Sequence, residues 1–158
     1  MMQSKQSADS QPEFFLDRCL GRTTGLRLLN LGWRVHMVSE IYPNDGQDVS
    51  DPDWISHGLR LGWSLLTQDK RIRYRSAEIG ALADGGGTMF CRSSGNLMIQ
   101  DRVDYFEGQR EAIHRVAGSD AVALYLAYKD RIERRWALIS EPPDPPISRA
   151  DLTKRLRA

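Results

Sequence analysis

Long apolar runs are absent from this 158-residue sequence. No stretch approaches the run of about 18 apolar residues that a membrane-crossing helix requires. The first residues, MMQSKQSADSQPE, are polar and lack the apolar core of a secretory signal. We therefore expect neither a membrane span nor a secretory signal, and the expected location is the cytoplasm.

Cysteine is scarce, and its two copies stand far apart in the chain. Cys19 and Cys91 have no CxxC partner, which argues against a disulfide framework and against a zinc cluster. Because each lies beside apolar residues, we predict that both are small buried side chains. The three histidines show neither HxH nor HxxxH spacing, so packing or surface roles are predicted for His36, His57 and His114.

Neither sign of charge dominates, because 22 Lys and Arg residues oppose 21 Asp and Glu residues, for a formal net charge of +1. This balance argues against a protein that coats nucleic acid through general basicity, but it allows a local basic strip beside an acidic site. With 41% hydrophobic and 27% charged residues the chain has an ordinary globular composition, and its length suits one domain. Collagen-like, coiled-coil and wholly disordered classes are thereby excluded.

Composition divides the chain into three parts. Residues 1–12 are rich in Ser, Gln and Asp and end at a proline, which predicts a disordered lead-in. Residues 13–140 carry the apolar periodicity of the folded domain. From residue 141 the sequence reads EPPDPP and continues into basic residues, so we predict a stiff proline-rich linker and a basic tail over 141–158.

Short apolar runs alternate with helix-like segments, which predicts an α/β domain with a mainly parallel central sheet. The expected strands cover 14–16, 33–38, 63–66 and 88–91, and a C-terminal β-hairpin is expected within 121–138. The expected helices cover 26–31, 51–61, 78–83 and 98–116, the last of them open to interruption at Gly108. Between 39 and 53 the composition predicts an exposed loop.

Four aspartates stand where these elements end or begin. Asp17 follows the first strand, Asp69 follows the third, and Asp51 and Asp53 open the helix between them. In open α/β sheets the carboxyl ends of parallel strands share one edge, so at least three of these carboxylates are expected to converge. Such like charges repel unless a cation compensates, and oxygen ligands suit Mg²⁺ or Mn²⁺. The pattern therefore predicts a metal-dependent phosphodiester hydrolase.

A basic strip follows the acidic end of the third strand. Together with one earlier arginine, its members are expected to contact the phosphates of a polyanion: Arg22, Lys70, Arg71, Arg73 and Arg75. The residues alone also leave plainer explanations open. Aspartates at strand ends form turns and helix caps, and a run of arginines often forms a solvated surface.

Three segments carry a resemblance to a known family: FFLDRCLG, DPDW, and GWSLLTQDKRIRYR followed by Glu78. They resemble, over roughly residues 13–92, the PIN-like domains of the VapC-toxin and Mut7-C-related type. The resemblance implies a three-layer α/β/α fold and a divalent-metal-dependent ribonuclease. It also implies a cognate antitoxin, a segment of which blocks the acidic groove.

The same resemblance implies roles for individual residues. Asp17 and Asp69 match metal ligands at strand ends, and either Asp51 or Asp53 matches a middle acidic position. Thr67 is expected to hydrogen-bond Asp69 or a metal-bound water. Two further acids have lesser roles: Glu78 supports the site, as an acid that holds an arginine, and Glu40 is a weaker candidate. The acidic arrangement differs from the usual family pattern, which leaves the number of metal ions open.

The leading hypothesis is a toxin endoribonuclease that cuts single-stranded regions of RNA with metal-activated water. A cognate antitoxin is the expected protein partner, together with a second copy of the chain in a homodimer. One alternative is a catalytically silent PIN-like binding or assembly module, in which the acids only cap helices. A weaker alternative is a phosphotransfer domain with Asp17 as the acceptor, although such a motif wants a second acid at the position of Cys19.

Overall fold

A computed structural model describes residues 11–69, 71–72 and 75–138 of the protein. The predictions for residues 1–10, for 139–158, and for Lys70 and Arg73 lie outside these described residues. Within the described ranges, every helix is too short or too polar to cross a membrane.

The predicted mainly parallel sheet is confirmed. Among the described residues six strands form it, and their bounds are β1 Glu13–Leu16, β2 Arg34–Met37, β3 Ser64–Thr67, β4 Thr88–Arg92, β5 Ala123–Ala127 and β6 Ile132–Ala137. The order across the sheet is β2-β1-β3-β4-β5-β6. All neighbours run parallel except β6, which pairs antiparallel with β5 and forms the predicted C-terminal hairpin.

In the part of the chain that the structure describes, six α-helices connect the strands: α1 Arg22–Asn30, α2 Val38–Ile41, α3 Asp51–Arg60, α4 Ser76–Gly85, α5 Ile99–Glu107 and α6 Arg110–Ala117. The helix expected at 98–116 is two helices, because the chain breaks after Glu107 at Gly108. The loop expected at 39–53 contains part of α2 and a 3-10 turn at Pro43–Gly46. In that turn the left-handed backbone falls on an Asn and an Asp, residue types that tolerate it.

The apolar residues of the sheet sort onto its two faces, as the period of two along a strand requires. Phe14 and Leu66 pack on one face with side chains of α1, α5 and α6. Phe15 and Leu65 pack on the other face with side chains of α3 and α4. The result is a three-layer α/β/α sandwich in which both faces of the central strands are buried.

Two glycines allow the helices on opposite faces to approach the sheet closely. A Cβ atom at Gly25 of α1 would lie 2.6 Å from the Met37 sulfur. A Cβ atom at Gly58 of α3 would lie 2.8 Å from atoms of both Leu65 and Phe15. Both separations are far below an ordinary van der Waals contact, so a side chain at either position would force its neighbours to move.

Gly58→Ala is expected to destabilise the protein by about 1–3 kcal/mol, because the added methyl group overpacks the interface with β1 and β3. Gly80→Ala on α4 is the matched control, since nothing lies within 4 Å of its added Cβ. There the helix propensity of alanine is expected to stabilise the fold by up to about 1 kcal/mol. Urea unfolding of both variants measures the difference, and equal effects at the two positions would contradict this packing.

Candidate active site

The carboxyl ends of β1 and β3 meet where the strand order reverses. From β1 the chain first adds β2 on one side and then β3 on the other. Open α/β sheets bind ligands at such a switch point, beyond the ends of the strands. Asp17 follows β1 there, and its backbone N–H donates to the carbonyl oxygen of Leu66 on β3 at 2.9 Å.

The Asp17 side chain is buried, at 8% exposure of the residue. The hydroxyl of Thr67 donates to its Oδ2 atom at 2.7 Å, and the same hydroxyl accepts from the backbone N–H of Asp69 at 3.1 Å. Because a backbone N–H only donates and an ionised carboxylate only accepts, the hydroxyl gives its one proton to Asp17 and accepts the backbone N–H of Asp69. Thr67 therefore links the two strand-end aspartates, because its hydroxyl contacts both the carboxylate of Asp17 and the backbone N–H of Asp69.

Asp69 is paired with the first described arginine of the basic strip. The backbone N–H and Nε of Arg71 both donate to Asp69 Oδ1 at 3.0 Å, and a second guanidinium nitrogen donates to Oδ2 at 3.2 Å. Partial burial alone would raise the pKa of Asp69, but the hydrogen bonds and charge of Arg71 outweigh it and lower the pKa below its usual value.

Asp51 and Asp53 have different positions at the start of α3. Ser50 caps this helix by accepting the N–H of Asp53, whose side chain is exposed. Asp51 turns to the same cavity as Asp17 and Asp69. Its Oδ1 accepts from the Trp54 indole at 3.3 Å, and its Oδ2 accepts from a guanidinium nitrogen of Arg75 at 3.2 Å.

Arg75 bridges two acids. The nitrogen that contacts Asp51 also lies 3.5 Å from Oε1 of Glu78, which is buried near the start of α4. Glu78 thus holds an arginine in the structure. Glu40 lies elsewhere, 3.8 Å from a ring nitrogen of His36, and is not among the residues that line the cavity.

Two hollows meet at this edge of the sheet. The first, of about 170 Å³, is lined by the three aspartates together with Arg18, Cys19, Tyr42, Trp54 and Arg71. The second, of about 350 Å³, shares Cys19, Asp69 and Arg71 with the first and continues over the loop after β4. Arg22 is exposed at the start of α1 and lines a small adjoining recess together with Asp17. The acidic cavity thus has exposed arginines around its opening.

The comparison with family models gives the decisive observation. A PIN-like domain model matches residues 12–94, more than half of the chain, and this range contains all four aspartates. The chain belongs to the PIN-like domain family. No curated protein matched it, and no solved structure did either. Membership supports a nuclease type of function in general, and the finer likeness to VapC toxins and Mut7-C-related proteins stays a prediction.

Burial and repulsion both act on the central carboxylate of this PIN-like domain. Burial raises the pKa of Asp17 above its usual value, and the charges of Asp51 and Asp69 raise it further, against the lowering effect of the Thr67 hydrogen bond. A divalent cation would relieve this cost, and three carboxylates lining one cavity form a donor set of the right chemistry. Within the described residues, however, no three Asp, Glu, His or Cys side chains stand close enough together to hold a metal ion.

The sequence predicted that Cys19 is a buried side chain. This prediction is wrong, because the residue is exposed. Cys19 is exposed on the 3-10 turn Arg18–Leu20, because this turn leaves the sheet directly after β1. Its sulfur faces inward, 3.7 Å from Thr67 Oγ1, where burial and then the charge of Asp17 raise the pKa of the thiol to about 12. The thiol is therefore protonated at neutral pH. Cys91 is buried as predicted.

Arg92 is a residue of the site region that the sequence analysis missed. It is buried at the end of β4, and its guanidinium group donates to the Ser94 and Asn96 carbonyl oxygens and to Asp101. These bonds hold the loop that lines the second hollow. The sequence signal for Arg92 is a basic residue at the end of an apolar strand, followed by Ser-Ser-Gly-Asn.

Asp17→Asn is expected to raise the melting temperature of the metal-free protein at neutral pH. Because the pKa of Asp17 is raised in the fold, the folded state binds more protons than the unfolded state above the usual value of 3.8, so stability falls as pH rises through that range. The variant has no ionised carboxylate at this position. Its stability advantage over the wild type should therefore shrink as pH falls toward 3.8.

Thermal unfolding in EDTA measures this effect. Asp84→Asn, which changes an exposed carboxylate of α4, is the control and should stay within about 0.5 kcal/mol of the wild type. An Asp17→Asn variant that melts below Asp84→Asn at neutral pH would contradict the conclusion that the ionised Asp17 carboxylate destabilises the fold.

Proposed function

We propose that this PIN-like domain is a divalent-metal-dependent endoribonuclease that hydrolyses phosphodiester bonds in single-stranded RNA. The observation that carries the proposal is the convergence of Asp17, Asp51 and Asp69 on one cavity at the switch point of the sheet. All three belong to the region that matches the family model. A buried aspartate among like charges is costly to the fold, and a functional role for the cavity accounts for that cost.

Asp17 and Asp69 are the residues proposed to hold Mg²⁺ or Mn²⁺. When bound, such an ion would lower the pKa of an attacking water and stabilise negative charge on the scissile phosphate. Thr67 holds the Asp17 carboxylate in place and ties it to the backbone of Asp69, which gives the pair a defined separation. The protonated thiol of Cys19 is too weak an acid to supply a nucleophile here.

The charges around the cavity support a polyanionic substrate. Arg18, Arg22 and Arg71 are exposed beside the carboxylates. A polyanion would place its phosphates on these arginines, and the second hollow would receive a neighbouring nucleotide. An unpaired strand, whose bases and phosphates are both accessible, is the proposed substrate for this surface.

Asp17→Asn and Asp69→Asn are each expected to lower the cleavage rate of a single-stranded RNA at least about 100-fold, because each removes a proposed metal ligand. The assay compares Mg²⁺, Mn²⁺ and EDTA, with single-stranded DNA of the same sequence as a second substrate. Asp84→Asn, purified in parallel, controls for a contaminating nuclease. Equal cleavage by all three variants would overturn the proposal.

Arg22→Gln is expected to weaken RNA binding and to reduce the slope of log affinity against log salt by about 0.7, the loss of one phosphate contact on a single strand. The measurement uses the Asp17→Asn background, so that the RNA stays intact. Arg115→Gln, an exposed arginine of α6 outside both hollows, should leave the slope unchanged. Equal slopes for the two variants would contradict the proposed contact between Arg22 and the RNA.

The biological role proposed is that of a toxin held in check by a cognate antitoxin, with a homodimer as the assembly. These partners rest on the resemblance to toxin PIN-like domains. The silent binding module is the second candidate, and one observation favours it: arginines already neutralise Asp69 and Asp51. That alternative would be supported by a wild-type protein that binds RNA, does not bind divalent ions and does not cleave the RNA.

A further inference from the structure

The second hollow lies directly beside the acidic cavity and has a lining of its own. Its volume of about 350 Å³ is within the usual range of small-ligand sites, about 300–1,000 Å³. It shares Cys19, Asp69 and Arg71 with the acidic cavity, and the rest of its lining comes from Gln68 and from the loop after β4. A nucleotide whose phosphate lies at the acidic cavity can therefore place its base in the second hollow.

The loop after β4 is held by a buried arginine. The Arg92 side chain is 4% exposed, donates to the carbonyl oxygens of Ser94 and Asn96, and lies 3.2 Å from Asp101. Gly95 lies against this pair, because a Cβ atom there would meet both the guanidinium and the carboxylate, and its φ of 131° favours glycine. The wall of the hollow is thus formed before any ligand binds, and its two loop carbonyls are already in use.

The unused polar groups of this wall can donate hydrogen bonds. Asn96 Oδ1 accepts the backbone N–H of Met98 at 2.9 Å, which leaves the amide nitrogen as the unused end of the side chain. Within the described residues, neither that nitrogen nor the Ser94 hydroxyl has a hydrogen-bond partner. Asp69 is the acid in the described lining, and both of its carboxylate oxygens already accept from Arg71. A ligand edge that carries acceptors therefore fits this wall.

The wall also carries an apolar side chain at its rim. Leu97 lines the hollow and is 82% exposed, so a flat ring that covers it would remove apolar surface from water. Nucleobases combine such a flat face with a polar edge, and in single-stranded RNA both are accessible. Guanine presents two neighbouring acceptors, O6 and N7, on one edge, whereas adenine and cytosine present an amino group there and uracil presents one carbonyl.

We infer that the second hollow is a nucleobase subsite that selects guanine. The Asn96 amide donates to O6, the Ser94 hydroxyl donates to N7, and Leu97 covers the face of the ring. This inference rests on the proposed function, because it concerns the nucleotide beside the proposed cleavage site. It makes Asn96 and Leu97 specificity-determining residues and makes Arg92 a positioning residue that holds their loop.

The first test measures the binding of four hexaribonucleotides, AAXAAA with X as G, A, C or U, to the full chain carrying Asp17→Asn, so that the RNA stays intact. The strand with guanine should bind at least about fivefold more tightly than those with adenine or cytosine, because two hydrogen bonds to one base edge discriminate to that extent. Equal affinity for the four strands, or tightest binding of a strand without guanine, would overturn the inference.

Asn96→Asp separates base selection from the folding of the loop. The variant keeps an oxygen for the Met98 N–H but has no amide donor, and a carboxylate accepts from the amino group of cytosine. The ratio of guanine to cytosine affinity should fall to about one or reverse. General repulsion of RNA by the added charge cancels in this ratio. A folded Asn96→Asp variant with the wild-type ratio would overturn the inference.

Leu97→Ala should lower the affinity for all four strands by about threefold or more, because the ring loses its apolar contact. Met98→Ala is the matched control, since Met98 is the next residue, is 65% exposed and lines neither hollow. It should bind each strand as the wild type does. Equal affinities for the Leu97→Ala and Met98→Ala variants would contradict the apolar contact and overturn the subsite.

Failure of this inference is distinct from failure of the proposed function. A wild type that cleaves RNA without a preference for guanine overturns only the inference. A wild type that binds the guanine strand preferentially but never cleaves RNA supports the subsite and overturns the ribonuclease. A protein that neither binds nor cleaves any of the strands overturns both.

Discussion

The cost of burying the Asp17 carboxylate governs the arrangement of the rest of the site. The group lies at the end of β1, where water is largely excluded and two other aspartates face the same cavity. A charge in that position needs compensation from hydrogen bonds or from cations. The Thr67 hydroxyl supplies the first, and the neighbouring arginines, on Asp69 and Asp51, supply part of the second.

The packing of the sandwich accounts for this burial. Because α1 and α3 pack closely on opposite faces of the sheet at Gly25 and Gly58, the end of β1 between them is covered on both faces. The same close approach brings Asp51, on the first turn of α3, to the cavity.

Arginine has two roles at the opening of the cavity. Arg71 and Arg75 neutralise carboxylates, whereas Arg18 and Arg22 stand exposed beside them. Between β3 and α4, Arg75 pairs with Asp51 and Glu78, and Arg71 pairs with Asp69 while its side chain stays 74% exposed.

Much of the architecture was predictable because it depends on local patterns. The short apolar runs predicted the strands β1 to β4, and the sequence also predicted the start of α3 at residue 51 and the C-terminal hairpin within 121–138. The positions of Asp17 and Asp69 at strand ends also follow from the sequence, since a strand of period two ends where its apolar run ends. The break at Gly108 was visible as an interruption, and glycine is a weak helix former.

Only the tertiary structure decided which side chains meet. The choice between Asp51 and Asp53 for the cavity depends on the rotation of α3 about its axis, which buries Trp54, Ile55, Gly58 and Leu59. The pairing of Arg75 with Asp51 joins residues 24 positions apart, and the link from Thr67 to Asp17 joins residues 50 apart. Sequence patterns report periodicity along one element, whereas these contacts depend on how separate elements pack against each other.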